Sequence, residues 1–111
     1  DVEFRDPVHA INGRLALKNY LRSMYEGARD MSFSYQDEQV SEHTATITWV
    51  MRFRHNSLNR GKSIDVKGVT LIHFTDRVYY HEDLYDLGAM VYQHVPVLGS
   101  LIRFINRRLA A

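Results

Sequence analysis

His43-Thr44-Ala45-Thr46-Ile47-Thr48-Trp49-Val50-Met51-Arg52-Phe53-Arg54 alternates from end to end. His43, Ala45, Ile47, Trp49, Met51 and Phe53 fall on one side, and the threonines, Val50, Arg52 and Arg54 on the other. A two-residue period sustained over that length specifies a strand with one apolar and one half-exposed face. The polar loop His55 to Lys62 returns the chain into a second such run. It sets Ile64, Val66, Gly68, Thr70, Ile72 and Phe74 against Asp65, Lys67, Val69, Leu71 and His73, and apolar residues on both faces mark it as central. Upstream, Met31, Phe33 and Tyr35 alternate with Ser32, Ser34 and Gln36 before a polar turn at Asp37-Glu38. Downstream, Thr75-Asp76-Arg77 connects tightly to a further strand, Val78 to Tyr85. Two registers stay open at this connection. A three-residue loop sets Phe74 opposite Val78 and Thr70 opposite Glu82, whereas a two-residue loop brings Asp83 opposite Thr70. The choice decides which acids face inward.

The flanks supply helices. The chain opens on Asp1-Val2-Glu3-Phe4-Arg5, and Val2 to Arg5 reads as a short strand that Asp6-Pro7 ends, because proline has no amide for a ladder. Asn12-Gly13 is a turn and cap. From Arg14 to about Ala28, Leu17, Tyr20, Leu21, Met24 and Ala28 recur at three- and four-residue steps, the stripe of an amphipathic helix with Gly27 near its end. Asp86 to His94 reads as helical and Pro96 interrupts. Val97 to Ala110 then carries Leu98, Leu101, Ile102, Ile105 and Leu109 on one side. Strand, helix, a meander of strands and a closing helix make an α+β chain. No linker, repeat or low-complexity segment divides it, so residues 1–111 form one domain.

Composition narrows the function classes. Among 111 residues, 14 Lys+Arg oppose 13 Asp+Glu, and this balance gives no broad field for gripping nucleic acid. The absence of cysteine removes disulfides, thiolate metal sites and cysteine catalysis. No apolar run approaches the ~20 residues that span a bilayer, and the first residues lack a signal-peptide layout. A cytoplasmic protein is expected, with a natural start upstream of Asp1, since no initiator Met is present.

Phe4-Arg5-Asp6-Pro7 ahead of a helix led by Gly13-Arg14, together with Val78-Tyr79-Tyr80-His81-Glu82-Asp83-Leu84-Tyr85-Asp86, resembles the SnoaL-like branch of the nuclear-transport-factor-2-like superfamily. The tail, Val95-Pro96-Val97-Leu98-Gly99 followed by Leu101-Ile102-Arg103, is similar to that of an uncharacterised bacterial subgroup. The resemblance implies a curved antiparallel sheet wrapped around helices, the cone-shaped cystatin-like fold, whose mouth opens on an apolar pocket. Helices usually precede the Phe4-type strand in this family, and they are expected to lie outside this chain. The superfamily includes ketosteroid isomerase, polyketide cyclases, scytalone dehydratase and limonene epoxide hydrolase, and also non-catalytic binding and dimerisation domains, so fold alone does not fix chemistry.

Carried over residue by residue, the resemblance to ketosteroid isomerase puts the proton-shuttling base at Asp6, where desolvation in an apolar cavity would tune the carboxylate. The competing reading makes Asp6 a corner residue that takes local backbone amides. Thr70 falls where the isomerase has a protonated acid; it donates one hydrogen bond without matched acidity, which argues against steroid isomerase activity. Asp86 aligns with the acid/base aspartate of the polyketide cyclases, and in the three-residue-loop register it shares a face with Tyr80, Glu82 and Leu84. Its competing role is to cap the helix that follows.

Trp49, Met51, Ile72 and Phe74, with Phe33, Tyr35 and Phe53, are read as core and ligand wall, and Glu82 as the acid beside Asp86. His81 and Asp83 are expected as a polar cluster on the outer side of the sheet, where family members often dimerise. With His73, Glu82 and His94 they suggest a metal, but spacing fixes no third ligand, so neither metal nor cofactor is expected. The last helix should close its own domain and leave Arg103, Arg107 and Arg108 in water, without membrane contact.

The leading reading is a homodimeric protein that binds a small apolar ligand and transfers protons on a carbonyl compound. Asp6 and Asp86 would be its acid/base groups, and Tyr80 or Thr70 the donor to the oxyanion. The rival is a non-catalytic ligand-binding or dimerisation module.

Overall fold

The structure, a computed structural model, describes residues 2–95 and 97–111, and of these the side chains of all but Met24 and Tyr25. The expectations placed on Asp1, on Met24 in the helical stripe and on Pro96 as a breaker therefore lie outside the described residues. Strands β1 (Glu3–Arg5) and β2 (Ala10–Asn12) precede helix α1 (Arg14–Glu26). Strands β3 (Arg29–Val40), β4 (Thr44–Arg54), β5 (Ile64–Phe74) and β6 (Val78–Tyr85) follow, and then α2 (Leu87–Met90), a 3-10 turn at Tyr92–His94 and α3 (Leu98–Ala110).

The strands form one open sheet in the order β2-β1-β6-β5-β4-β3. The α+β meander of the sequence reading is present, with one parallel pairing, since β1 runs alongside β6 with Phe4 opposite His81. The sheet is therefore mixed. β2, of which the sequence reading assigned only Asn12, to a turn, pairs antiparallel with β1. Gly13 closes this hairpin at φ 93°, a backbone state open to glycine without strain, and its amide donates to Val2 O at 2.8 Å.

Three bulges bend the strands and set the faces. Two lie on β3, between Arg29 and Ser32 and between Tyr35 and Asp37. Through the second, β3 continues past the expected Asp37-Glu38 turn to Val40, and the chain turns at Ser41, whose amide donates to Thr44 O at 2.8 Å. The third matters most. Phe74 pairs with Val78, as a three-residue loop requires, but His73 then pairs with Tyr80, so Tyr79 is the extra residue. From there β6 is shifted by one position and Asp83, not Glu82, lies opposite Thr70.

The core fills the concave side. Trp49, Met51, Phe53, Ile64 and Val66 form its buried cluster, and Tyr85 and Met90 pack against it. Trp49 and Gly68 are cross-strand partners, and the indole lies over the glycine so closely that an added Cβ would sit 2.7 Å from Cζ3 and nearer still to Cη2 and Cζ2. Glycine at 68 is what lets the ring lie flat against β5. α3 departs from expectation. It rests on the Tyr92–His94 turn through Gly99, which is buried, and Arg103, which donates to Gln93 O at 2.8 Å. Its apolar stripe stays exposed.

Candidate functional site

A cavity of about 180 Å³ opens on the concave face. Strand β4 contributes Ile47, Trp49 and Met51, β3 contributes Phe33 and Tyr35, and Phe4, Leu21 and Met90 complete the apolar wall from β1, α1 and α2. Its polar atoms come from Asp6, Thr70, His81, Asp83 and Tyr85. An engineered apolar cavity of roughly 150 Å³ takes benzene, so this space suits a ligand of about one ring.

Asp83 is held by a chain of side chains that begins in the core. Trp49 Nε1 donates to Thr70 Oγ1 at 2.8 Å, and Thr70 Oγ1 donates to Asp83 Oδ1 at 2.7 Å. His81 Nε2 lies 2.9 Å from the same oxygen. An ionised carboxylate only accepts, so Nε2 carries the proton of that bond. Among the described residues both partners of Asp83 fall on Oδ1 and none on Oδ2. The result is an oriented carboxylate in a mainly apolar cavity, 24% exposed in its side chain. Tyr85 completes the constellation. Burial, then the charges of Asp6 and Asp83, pushes its hydroxyl up to about 12, so it remains a neutral O–H donor.

Asp6 also borders the cavity, but its oxygens are occupied. Oδ1 accepts from the amides of Val8 at 2.9 Å and His9 at 2.7 Å and lies 3.1 Å from His9 Nδ1, and Oδ2 accepts from the Tyr20 hydroxyl. Its side chain is 2% exposed. Burial alone would raise its pKa, yet the hydrogen bonds from Tyr20, Val8 and His9 together outweigh burial and hold it below the ordinary carboxylate value. Tyr20 responds in the opposite sense, raised by burial and by the bond to Asp6. Asp6 is thus the corner residue of the β1–β2 hairpin, with Asp6 N donating to His9 O at 3.0 Å.

The other sequence candidates divide. Trp49, Met51 and Thr70 are in the cavity. Thr70 does not offer its proton to a ligand, because that proton goes to Asp83. Ile72 shares the concave face but borders a neighbouring recess with Leu17 and Val78, and Phe74 is half-buried beside the bulge.

Tyr80 and Glu82 are on the opposite face. The bulge at Tyr79 turns them there, where the Tyr80 hydroxyl donates to Glu82 at 2.8 Å beside Leu71 and His73. The same shift moves His81 and Asp83, expected on the outer side, into the cavity. Asp86 caps α2, its carboxylate accepting from Ala89 N at 3.0 Å. Sequence reasoning missed Tyr85 and the inward His81–Asp83 pair, although the two-residue-loop alternative carried the correct Asp83–Thr70 pairing.

A sequence profile of the SnoaL-like domain matches residues 1–81. No curated protein matches the chain. Among solved structures, a protein with a ketosteroid isomerase-like fold from Catenulispora acidiphila DSM 44928, in complex with trimethylamine, superposes with TM-score 0.75 at 14% identity over 85% of this chain and 73% of its own. An NTF2-like protein of unknown function from Burkholderia pseudomallei K96243 gives TM-score 0.72 and 18% identity, covering 82% and 74%. A candidate SnoaL-like polyketide cyclase from Jannaschia sp. CCS1 gives 0.71 and 17%, covering 80% and 67%. At these identities the structural matches speak to the fold.

Proposed function

This chain belongs to the SnoaL-like domain family, and on that premise we propose that its cavity performs cofactor-independent proton transfer on a one-ring, apolar carbonyl compound. The carrying observation is Asp83, a carboxylate in a mainly apolar cavity whose Oδ1 is fixed by Thr70 and His81. The Catenulispora relative's complex with trimethylamine supports small-molecule occupancy of such a fold.

In this reading Asp83 Oδ2 takes a proton from the carbon next to the carbonyl. The electron pair of that C–H bond forms the C=C bond of the enolate while the carbonyl π pair moves onto oxygen, where the Tyr85 hydroxyl donates a hydrogen bond. Return of the proton from Asp83 to carbon completes the cycle with no redox change. Thr70 and Trp49 keep the carboxylate oriented, so no reorganisation is needed as charge develops. Asp6 stays out of the chemistry because its lone pairs are already committed.

The test is α-proton exchange of single-ring enolisable ketones, headed by 3-cyclohexen-1-one, followed in D2O by NMR. The wild type should accelerate exchange. Asp83→Asn should lose on the order of 100-fold, the typical contribution of a positioned general base, and Tyr85→Phe a smaller factor. Ketones that bind without exchange would make the domain a non-catalytic binding module.

A further inference from the structure

α3 presents a surface that its own domain does not use. Leu98, Leu101, Ile105 and Leu109, spaced at three and four residues, are 40%, 54%, 45% and 79% exposed, and Phe104 is exposed beside them. Gly99 and Arg103 face the other way and fix the orientation. Arg103 is bonded to Gln93 O, and an added Cβ on Gly99 would come within 2.8 Å of the Gln93 carbonyl carbon. The stripe is therefore turned outward by contacts on the helix's opposite side.

The charges around this stripe have one sign. α3 carries Arg103, Arg107 and Arg108 and no acid. Arg107 and Arg108 lie in its last turn, beside Phe104 and Leu101 on the helical wheel. A surface with an apolar stripe and arginines along one border is complementary to anionic headgroups over acyl chains.

We propose that α3 docks this domain onto an anionic lipid surface. The helix lies in the interface: leucine and isoleucine side chains enter the acyl boundary, and the arginines stay at headgroup level. No described helix is long and apolar enough to cross a membrane, so the contact is peripheral. This proposal is independent of the proton-transfer reading.

The test is co-sedimentation of the 111-residue chain with vesicles of phosphatidylcholine alone and with phosphatidylglycerol added at one part in four. The chain should partition to the anionic vesicles only, with binding weakened by salt. Arg107→Gln with Arg108→Gln should weaken partition roughly thirty-fold, at about 1 kcal/mol per cation lost. Leu101→Ser with Ile105→Ser should also weaken it, while Trp49 fluorescence reports an intact fold. Equal binding to neutral vesicles, or none to either, overturns the proposal. So does displacement by millimolar inorganic phosphate, which would make the arginines a soluble-anion site. A concentration-dependent dimer in light scattering, lost in the Leu101/Ile105 variant and without vesicle uptake, would assign the stripe to a second copy.

Discussion

Replacing Asp6 with asparagine separates the corner role from the catalytic one, because asparagine keeps one acceptor oxygen and loses the charge. The remaining oxygen still accepts from the Val8 and His9 amides, but the Tyr20 hydroxyl no longer meets a carboxylate oxygen. Hydrogen bonds to a charged group contribute about 1.5–3 kcal/mol and neutral ones about 0.5–1.5, so three such bonds lose about 3 kcal/mol in total. Relief from burying a carboxylate returns part of this, leaving a net loss of about 1–3 kcal/mol. With a urea slope of about 1–3 kcal/mol/M, the unfolding midpoint should fall by roughly 1 M at pH 7, read from Trp49 fluorescence.

The pH dependence has a fixed sign. The folded value of Asp6 lies below its ordinary 3.8, so its stabilisation is complete above the unfolded value and is lost as pH falls through the folded one. The gap between wild type and Asp6→Asn should therefore close in acid. Ketone exchange by Asp6→Asn should stay within a few-fold of wild type at pH 7. An unchanged midpoint together with abolished exchange would refute the reasoning and return Asp6 to the role of base.

Other substitutions test neighbouring parts of the account. Gly68→Ala forces a methyl into the Trp49 ring; overpacking of this kind costs about 1–3 kcal/mol, and a melting point lowered by roughly 5–15 °C should accompany it. The Trp49–Thr70 bond would be displaced as well, so exchange should fall along with stability. Asp86→Ala removes the α2 cap and should cost about 0.5–2 kcal/mol while leaving exchange in place; a loss of exchange at full stability would make Asp86 part of the chemistry.

The long strands were legible because their two-residue period is unbroken from Thr44 to Arg54 and from Ile64 to Phe74, where both faces carry burial information. The α1 stripe was legible for the same reason at a longer period. What sequence could not settle is the bulge at Tyr79. A three-residue loop plus one extra residue gives the same inward set as a two-residue loop, and β6 mixes aromatic and charged side chains on both faces, so neither face declares itself. That single ambiguity moved His81, Asp83 and Tyr85 inward and Tyr80 and Glu82 outward. The Asp37-Glu38 turn failed through a similar cause, a bulge that carries polar residues along an edge strand. α3 was read as a closing helix from its stripe alone, and periodicity cannot say which side a helix rests on. Gly99 and Arg103 decide that here.

The most direct measurement compares Asp83→Asn with Glu82→Gln, adjacent acids on opposite faces of β6, by ketone α-proton exchange at equal folded fraction. The account predicts a loss on the order of 100-fold for Asp83→Asn and a rate near wild type for Glu82→Gln. Loss in Glu82→Gln with Asp83→Asn unaffected would contradict the inward placement of Asp83 and the proton transfer built on it.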